Sequence, residues 1–159
     1  MTREQFIVQV KNHEKSLRRF LMALCCGDSM LADDIAQESF MKAYMSMATL
    51  ENPDSFRYWL FRIAHNTFLN HRRVQKLTVD YEEANVICSE TESDAAFRYQ
   101  HLHQALERLP FKVRTSVLLY YMEGYSVKEI AEIIDSSEDA VRQHLARGRK
   151  QLKEILEKE

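Results

Sequence analysis

This sequence predicts an all-α fold: two small helical domains joined by an acidic linker, the C-terminal one a helix-turn-helix. Three observations predict it. The 159 residues include only three Gly and two Pro, so few positions break a helix. Apolar residues recur at steps of three and four through most of the chain, the period of a half-buried helix. Between two such periodic stretches, residues 78–97 carry Asp80, Glu82, Glu83, Glu90, Glu92 and Asp94 with no base and no clear period. A run of that kind reads as a solvated tether, one that could also mimic nucleic acid in a basic channel. The resulting domains are residues 1–77, the linker 78–97, and residues 98–159.

The first helix follows from Phe6, Val10, His13, Leu17, Phe20, Leu21 and Leu24, with Gly27 as its expected end. Asp28 or Ser29 can cap the second, over residues 30–47, whose apolar positions are Leu31, Ile35, Phe40, Tyr44 and Met47. Asp33, Asp34, Gln37 and Glu38 fall on another side of it, as a solvated face or a docking patch. Residues 49–55 form a loop, with Asn52-Pro53 as breaker and Asp54 or Ser55 as cap.

A third helix runs over residues 56–76. At 100° per residue, Leu60, Phe61, Ala64 and Phe68 share one side, and Arg62, Asn66, Asn70 and Arg73 line the other. Trp59 and Ile63 lie beside that polar stripe. From residue 56 to 77 the helix has five bases (Arg57, Arg62, Arg72, Arg73, Lys76) and no acid. Arginine neutralises phosphate, amides bond base edges and aromatics stack on unpaired bases, so this helix suits melted or single-stranded DNA. The plainer alternative is a solvated face with Trp59 in the core.

Beyond the linker, Phe97, Leu102, Ala105, Leu106 and Leu109 give one helix. Pro110 opens the next, which carries Val113, Val117, Leu118 and Tyr121 and stops near Gly124. The cluster Tyr120-Tyr121-Met122 reads as packing. In residues 126–150, SVKEIAEIIDSSEDAVRQHLARGRK, Ser126 and Glu129 make a capping box. Ile130, Ile133 and Ile134 are an apolar stripe, and Asp135-Ser136-Ser137 is a turn. Small Ala131 marks the helix crossing, and Val141 and Leu145 are the inward face of the second helix. Asp135 stands where Gly is commonest, and Asp tolerates a left-handed backbone. Over residues 138–153, five bases (Arg142, Arg147, Arg149, Lys150, Lys153) follow two acids (Glu138, Asp139). Acids at the helix start and bases beyond it suit a helix that enters the major groove. The last helix continues with Leu152, Ile155 and Leu156.

Composition excludes several classes. No apolar run reaches the length of about 20 residues that spans a bilayer, and the N-terminus lacks a signal-peptide core. Cys25, Cys26 and Cys88 have no metal-ligand spacing, so reduced thiols in a cytoplasmic protein are the expectation. There is no Gly-rich phosphate loop and no nucleophile with a plausible base, so neither enzyme chemistry nor a cofactor nor a small-molecule substrate is expected. The net charge of −2 is unusual for a nucleic-acid binder, but the charge is unevenly placed.

Three stretches together resemble a known family: ADDIAQESFMKAY (32–44), SFRYWLFRIAHNTFLNHRR (55–73), and the segment 106–152 that ends in the helix-turn-helix. Their order and separation are similar to those of bacterial RNA polymerase sigma factors of the compact extracytoplasmic-function kind. The resemblance implies that Asp33, Asp34, Gln37 and Glu38 dock on core RNA polymerase. It implies that Trp59, Arg62, Asn66, Asn70, Arg72 and Arg73 hold the melted minus-ten element, with Asn66 at the pocket for a flipped base. Glu138, Arg142, Gln143, His144, Arg147 and Lys150 would read the minus-thirty-five element, Arg142 through bidentate contact with guanine. An anti-sigma factor is a further implied partner. The competing reading is a helix-turn-helix regulator that binds duplex DNA without being a polymerase subunit.

Overall fold

The computed structural model describes residues 1–78 and 94–157, with side chains described for 1–75 and 100–157. Most of the expected linker, with Cys88, lies outside the described residues. Among the described residues every regular element is helical.

The first helix, α1, spans Arg3–Leu24. Thr2 Oγ1 accepts from the Gln5 amide at 3.2 Å and Gln5 Oε1 accepts from the Thr2 amide at 2.9 Å, a reciprocal cap. Its expected apolar stripe is buried or half-buried throughout. The helix stops three residues before Gly27, because Cys26 already turns left-handed at φ 55° with Gly27 following at φ 90°. Asp28 caps α2 (Ser29–Ser46) by accepting from the Leu31 amide. Small Ala32, Ala36, Ser39 and Ala43 are buried on α2 and let α1 and the third helix approach closely. Tyr44 is mostly exposed, its ring edge-on to Phe6 at the rim of the core.

Two short 3₁₀ turns, Met47–Thr49 and Pro53–Ser55, make up the loop. Asn52 caps the second of these turns, accepting from the Asp54 amide. Helix α3 then runs Phe56–Thr78 and buries Leu60, Phe61, Ala64 and Phe68 as the spacing requires.

The second half begins with α4 (Asp94–Glu107), which starts inside the stretch read as linker. Leu106 and Leu109 are buried, whereas Leu102 is exposed. Pro110 precedes α5 (Phe111–Val117) as its N-cap. The chain then widens into a π turn over Leu118–Met122 and closes at Gly124, φ 73°. A π turn takes an extra residue and shifts the register of everything after it. Leu118 and Leu119 therefore face inward, and Tyr120 and Tyr121 are exposed instead of packed. Their rings touch each other edge-on, and Tyr121 Oη accepts from Arg149.

Helix α6 (Val127–Ile134) starts at the Ser126–Glu129 capping box, with both reciprocal bonds made. Asp135 ends it in the left-handed conformation, φ 55° and ψ 54°. Ser137 Oγ accepts from the Ala140 amide and starts α7 (Glu138–Glu157). Gly148 lets α7 lie directly on α5: a Cβ there would stand 2.3 Å from Val117 Cγ2.

The two halves share one core. α6 packs along α3, and α1 meets the π turn and α4. Phe111 stacks on His65 and Phe68 of α3. Tyr125 meets Tyr58 and Phe61 edge-on.

Candidate nucleic-acid interface

Helix α3 divides its long side chains between two faces. Arg62, Asn66, Asn70 and Arg73 are all exposed, as their spacing predicts. Trp59 is half-buried, its ring tilted on Phe56 at 5.7 Å. It therefore sits at the border between core and stripe. Arg72, expected beside them at the melted element, turns elsewhere: its guanidinium lies over the Phe111 ring at 4.8 Å, facing the other half of the molecule. Arg57, another of the five bases of this helix, donates to the Glu123 carbonyl at 2.7 Å and lies over the Tyr125 ring at 4.5 Å. The polar stripe and the aromatic surface are thus adjacent faces of one helix.

On α7, Glu138, Arg142, Gln143, Arg147 and Lys150 are exposed. Arg142 is held by Asp139, one turn before it, at 2.9 Å. Both partners are well exposed, so water screens this pair and a base edge can displace it. His144 differs from its neighbours. It turns toward α5, with Nδ1 3.4 Å from Ser116 Oγ, and is half-buried. Burial first, then the charges of Lys112 and Arg147, push its pKa below the ordinary histidine value.

The acidic patch on α2 is only partly free. Asp33 pairs with Arg18 at 3.2 Å. Glu38 meets His71 at 2.6 Å and Lys42 at 3.1 Å. The hydrogen bond from His71 is the main cause that holds the Glu38 carboxyl below its ordinary range. Asp34 and Gln37 point to solvent beside exposed Met30, Met41 and Met45. Flexible methionines around a few charges are the composition of an adaptable docking face.

Between the halves, Glu123 is buried and accepts two hydrogen bonds from Arg19 Nη2, at 3.2 and 3.1 Å. Arg114 is buried too. It donates to the carbonyls of Leu106, Glu107 and Leu109 in its own half and of Leu24 in the other. A buried guanidinium surrounded by four carbonyls is satisfied without a carboxylate. His65 is buried against Phe111 with Nδ1 lacking a hydrogen-bond partner, and burial lowers its pKa to about 4. Periodicity did not pick out Arg19, Arg57, Arg114 or Glu123, since each works through a distant segment. The only local sign was an acid set directly before Gly124 and Tyr125 at a helix end.

Among the described residues, no group of three or more His, Cys, Asp or Glu side chains is placed to hold a metal ion. Cys25 and Cys26 are buried, and burial is the main cause that pushes the Cys25 thiol up to about 12. Among the described residues no helix is long and apolar enough to cross a membrane.

Residues 9–78 match the family Sigma-70 region 2, and residues 99–152 match Sigma-70, region 4. The RNA polymerase sigma factor SigV of Bacillus subtilis is 33% identical over 127 residues, covering 79% of this chain and 76% of that protein. The ECF RNA polymerase sigma factor SigW of the same organism is 30% identical over 147 residues, covering 82% and 78%. In structure, the sigma factor RpoE bound to the anti-sigma factor NepR from Bartonella quintana superposes with a TM-score of 0.78. It is 24% identical over 96% of both chains. CnrH in complex with the cytosolic domain of CnrY gives a TM-score of 0.76, at 24% identity over 97% and 88%. At that identity the two structures speak to the fold alone.

Proposed function

The chain belongs to the RNA polymerase sigma factors, in the extracytoplasmic-function group, and from that premise we propose how its surfaces divide the work. It binds core RNA polymerase and directs promoter recognition, DNA melting and transcription initiation. The protein performs no covalent chemistry of its own and acts in the cytoplasm. Residues 1–77 act at polymerase and the minus-ten element, residues 98–159 at the minus-thirty-five element, and residues 78–97 connect them.

One observation carries the residue assignment: two helices of different design, α3 and α7, each expose a stripe of bases and amides. On α3, Arg62, Asn70 and Arg73 hold phosphates and Asn66 meets a flipped base. Arg72 joins them once released from Phe111, and Trp59 closes the pocket edge. On α7, Arg142 and Gln143 read base edges, with Glu138 at the helix start. Arg147 and Lys150 take backbone phosphate, and His144 positions the helix from its α5 side. Asp34 and Gln37, with Asp33 and Glu38 once their partners yield, face core polymerase. The same docking face is the natural target of an anti-sigma factor.

The described packing is a closed state. A compact chain of this length is about 40 Å across. The two promoter elements lie two or more duplex turns apart, about 70 Å at 34–36 Å per turn. Both cannot be held at once unless α3 and α6 separate. Core polymerase, by binding each half at its own place, supplies the energy for that separation.

Reconstitution tests the reading. Core polymerase alone should be silent, and the mixture should start transcripts at discrete sites. Asn66→Ala should impair opening while duplex recruitment persists. Arg142→Ala should lose recruitment, by roughly tenfold or more in promoter affinity. A chain that never binds core yet shifts duplex DNA unaided would instead be a free-standing helix-turn-helix regulator.

A further inference from the structure

A cleft of about 500 Å³ opens where the latter part of α3 faces α5 and α7. Arg72 and Arg73 line it from one half of the molecule, and Lys112, His144 and Arg147 from the other. Leu69, Pro110 and Val113 add apolar surface, and among the described residues no carboxylate lines it. Among the described residues, Arg73, Lys112 and Arg147 make no ion pair. Arg72 is held in place over Phe111. Lys112 and Arg147 both act on His144, so their charges gather on one wall of the cleft, opposite Arg72 and Arg73. Like charges gathered in a concave, partly desolvated place repel one another, and an anion there relieves the repulsion.

We propose that this cleft binds a polyphosphate anion carried on a small apolar body, in chemical class a nucleoside di- or triphosphate, and that the bound anion holds the two halves closed. Its volume falls within the range of small-ligand sites. A phosphate chain concentrates several charges within the span of four cations, whereas an acidic peptide carries one charge per residue. Arginine forks match phosphate oxygens, and the apolar lining offers a seat for a base. The site exists only while residues from both halves face each other, so its ligand favours closure. The proposal rests on the closed packing and on Arg72, Arg73 and Arg147 being phosphate contacts on promoter DNA. An anion in the cleft would therefore also compete with the promoter.

The test uses the full-length chain without polymerase, so its failure leaves the sigma-factor reading intact. Titration calorimetry with ATP, GTP and inorganic triphosphate at constant ionic strength should show a dissociation constant below about 1 mM for the nucleotides. Lys112→Ala and Arg147→Ala should each weaken binding about tenfold. Arg19→Ala lies outside the cleft but loosens the halves, and it should weaken binding too. Near a hundredfold excess over the dissociation constant, the melting temperature should rise by roughly 5–10 °C. Undetectable binding, or binding indifferent to Lys112 and Arg147, overturns the proposal. Loss in the cleft variants with none in Arg19→Ala overturns the link to closure. Equal affinity for bare triphosphate removes the apolar body, and tighter binding of a short DNA duplex assigns the cleft to the DNA backbone.

Discussion

Arg19 and Glu123, 104 positions apart, close the two halves through a carboxylate that water does not reach. The Glu123 side chain is 1% exposed, whereas that of Arg19 is 57% exposed. The asymmetry matters. Removing the arginine leaves a buried charge without its partner, which costs more than the pair itself contributes. Because Arg19 is partly solvated, we expect Arg19→Ala to cost about 1–2 kcal/mol. The free chain should expand in X-ray scattering, and amides near Phe111 and Tyr125 should exchange faster. An unchanged radius and melting temperature would sink the latch.

Acid should weaken the same seam through His65. Its folded pKa, lowered to about 4 by burial, lies below the ordinary value of 6.5. Between these values the unfolded chain binds a proton that the folded chain does not. Stability is therefore complete above pH 6.5 and declines as pH falls toward 4, by about 3 kcal/mol in all. Glu38, lowered as well, adds to the loss in acid. Urea titrations at pH 7.5 and 5 should show the decline. His65→Phe keeps a ring against Phe111 and should flatten the dependence, and an equally steep profile in that variant would assign it elsewhere.

Gly148 should accept no side chain. A Cβ there would meet Val117 at 2.3 Å and Val113 at 3.2 Å, so α7 must move off α5. Gly148→Ala should cost roughly 1–3 kcal/mol despite the better helix propensity of alanine. Pairing it with Val117→Ala should recover part of that loss, and thermal melts of the two single variants and the double measure the coupling.

Asp135 offers a gain. It adopts a left-handed backbone, φ 55°, at the end of α6. Asp135→Gly relieves that strain and should raise stability by about 0.5–1 kcal/mol. Duplex binding should be unaffected, because α7 keeps Ser137 as its cap. A lower melting temperature would mean that the Asp135 side chain contributes more than its backbone costs.

The sequence was most informative where a property repeats along one helix. The exposed run Arg62, Asn66, Asn70, Arg73 and the buried run Leu60, Phe61, Ala64, Phe68 follow from 100° spacing alone. The capping box at Ser126 and the left-handed turn at Asp135 were legible as well, from residue type at a fixed local spacing. The contacts between halves were not legible. Arg57 and Arg72 look like their neighbours on α3, and only Tyr125 and Phe111, brought near by the fold, distinguish them. His144 likewise shares the charge pattern of α7 yet turns toward Ser116. Tyr120 and Tyr121 were misread as packing because the π turn breaks the period on which the reading depends.

The length of α7 has a mechanical consequence. Twenty residues make one rigid rod of about 30 Å. It is pressed against α5 near its middle at Gly148, with Glu138, Arg142 and Gln143 on one side of that point and Leu152, Ile155 and Leu156 on the other. Such a rod cannot tilt at one end alone. Gly148 is a fulcrum, and whatever grips the apolar tail of α7 steers the end that reads DNA.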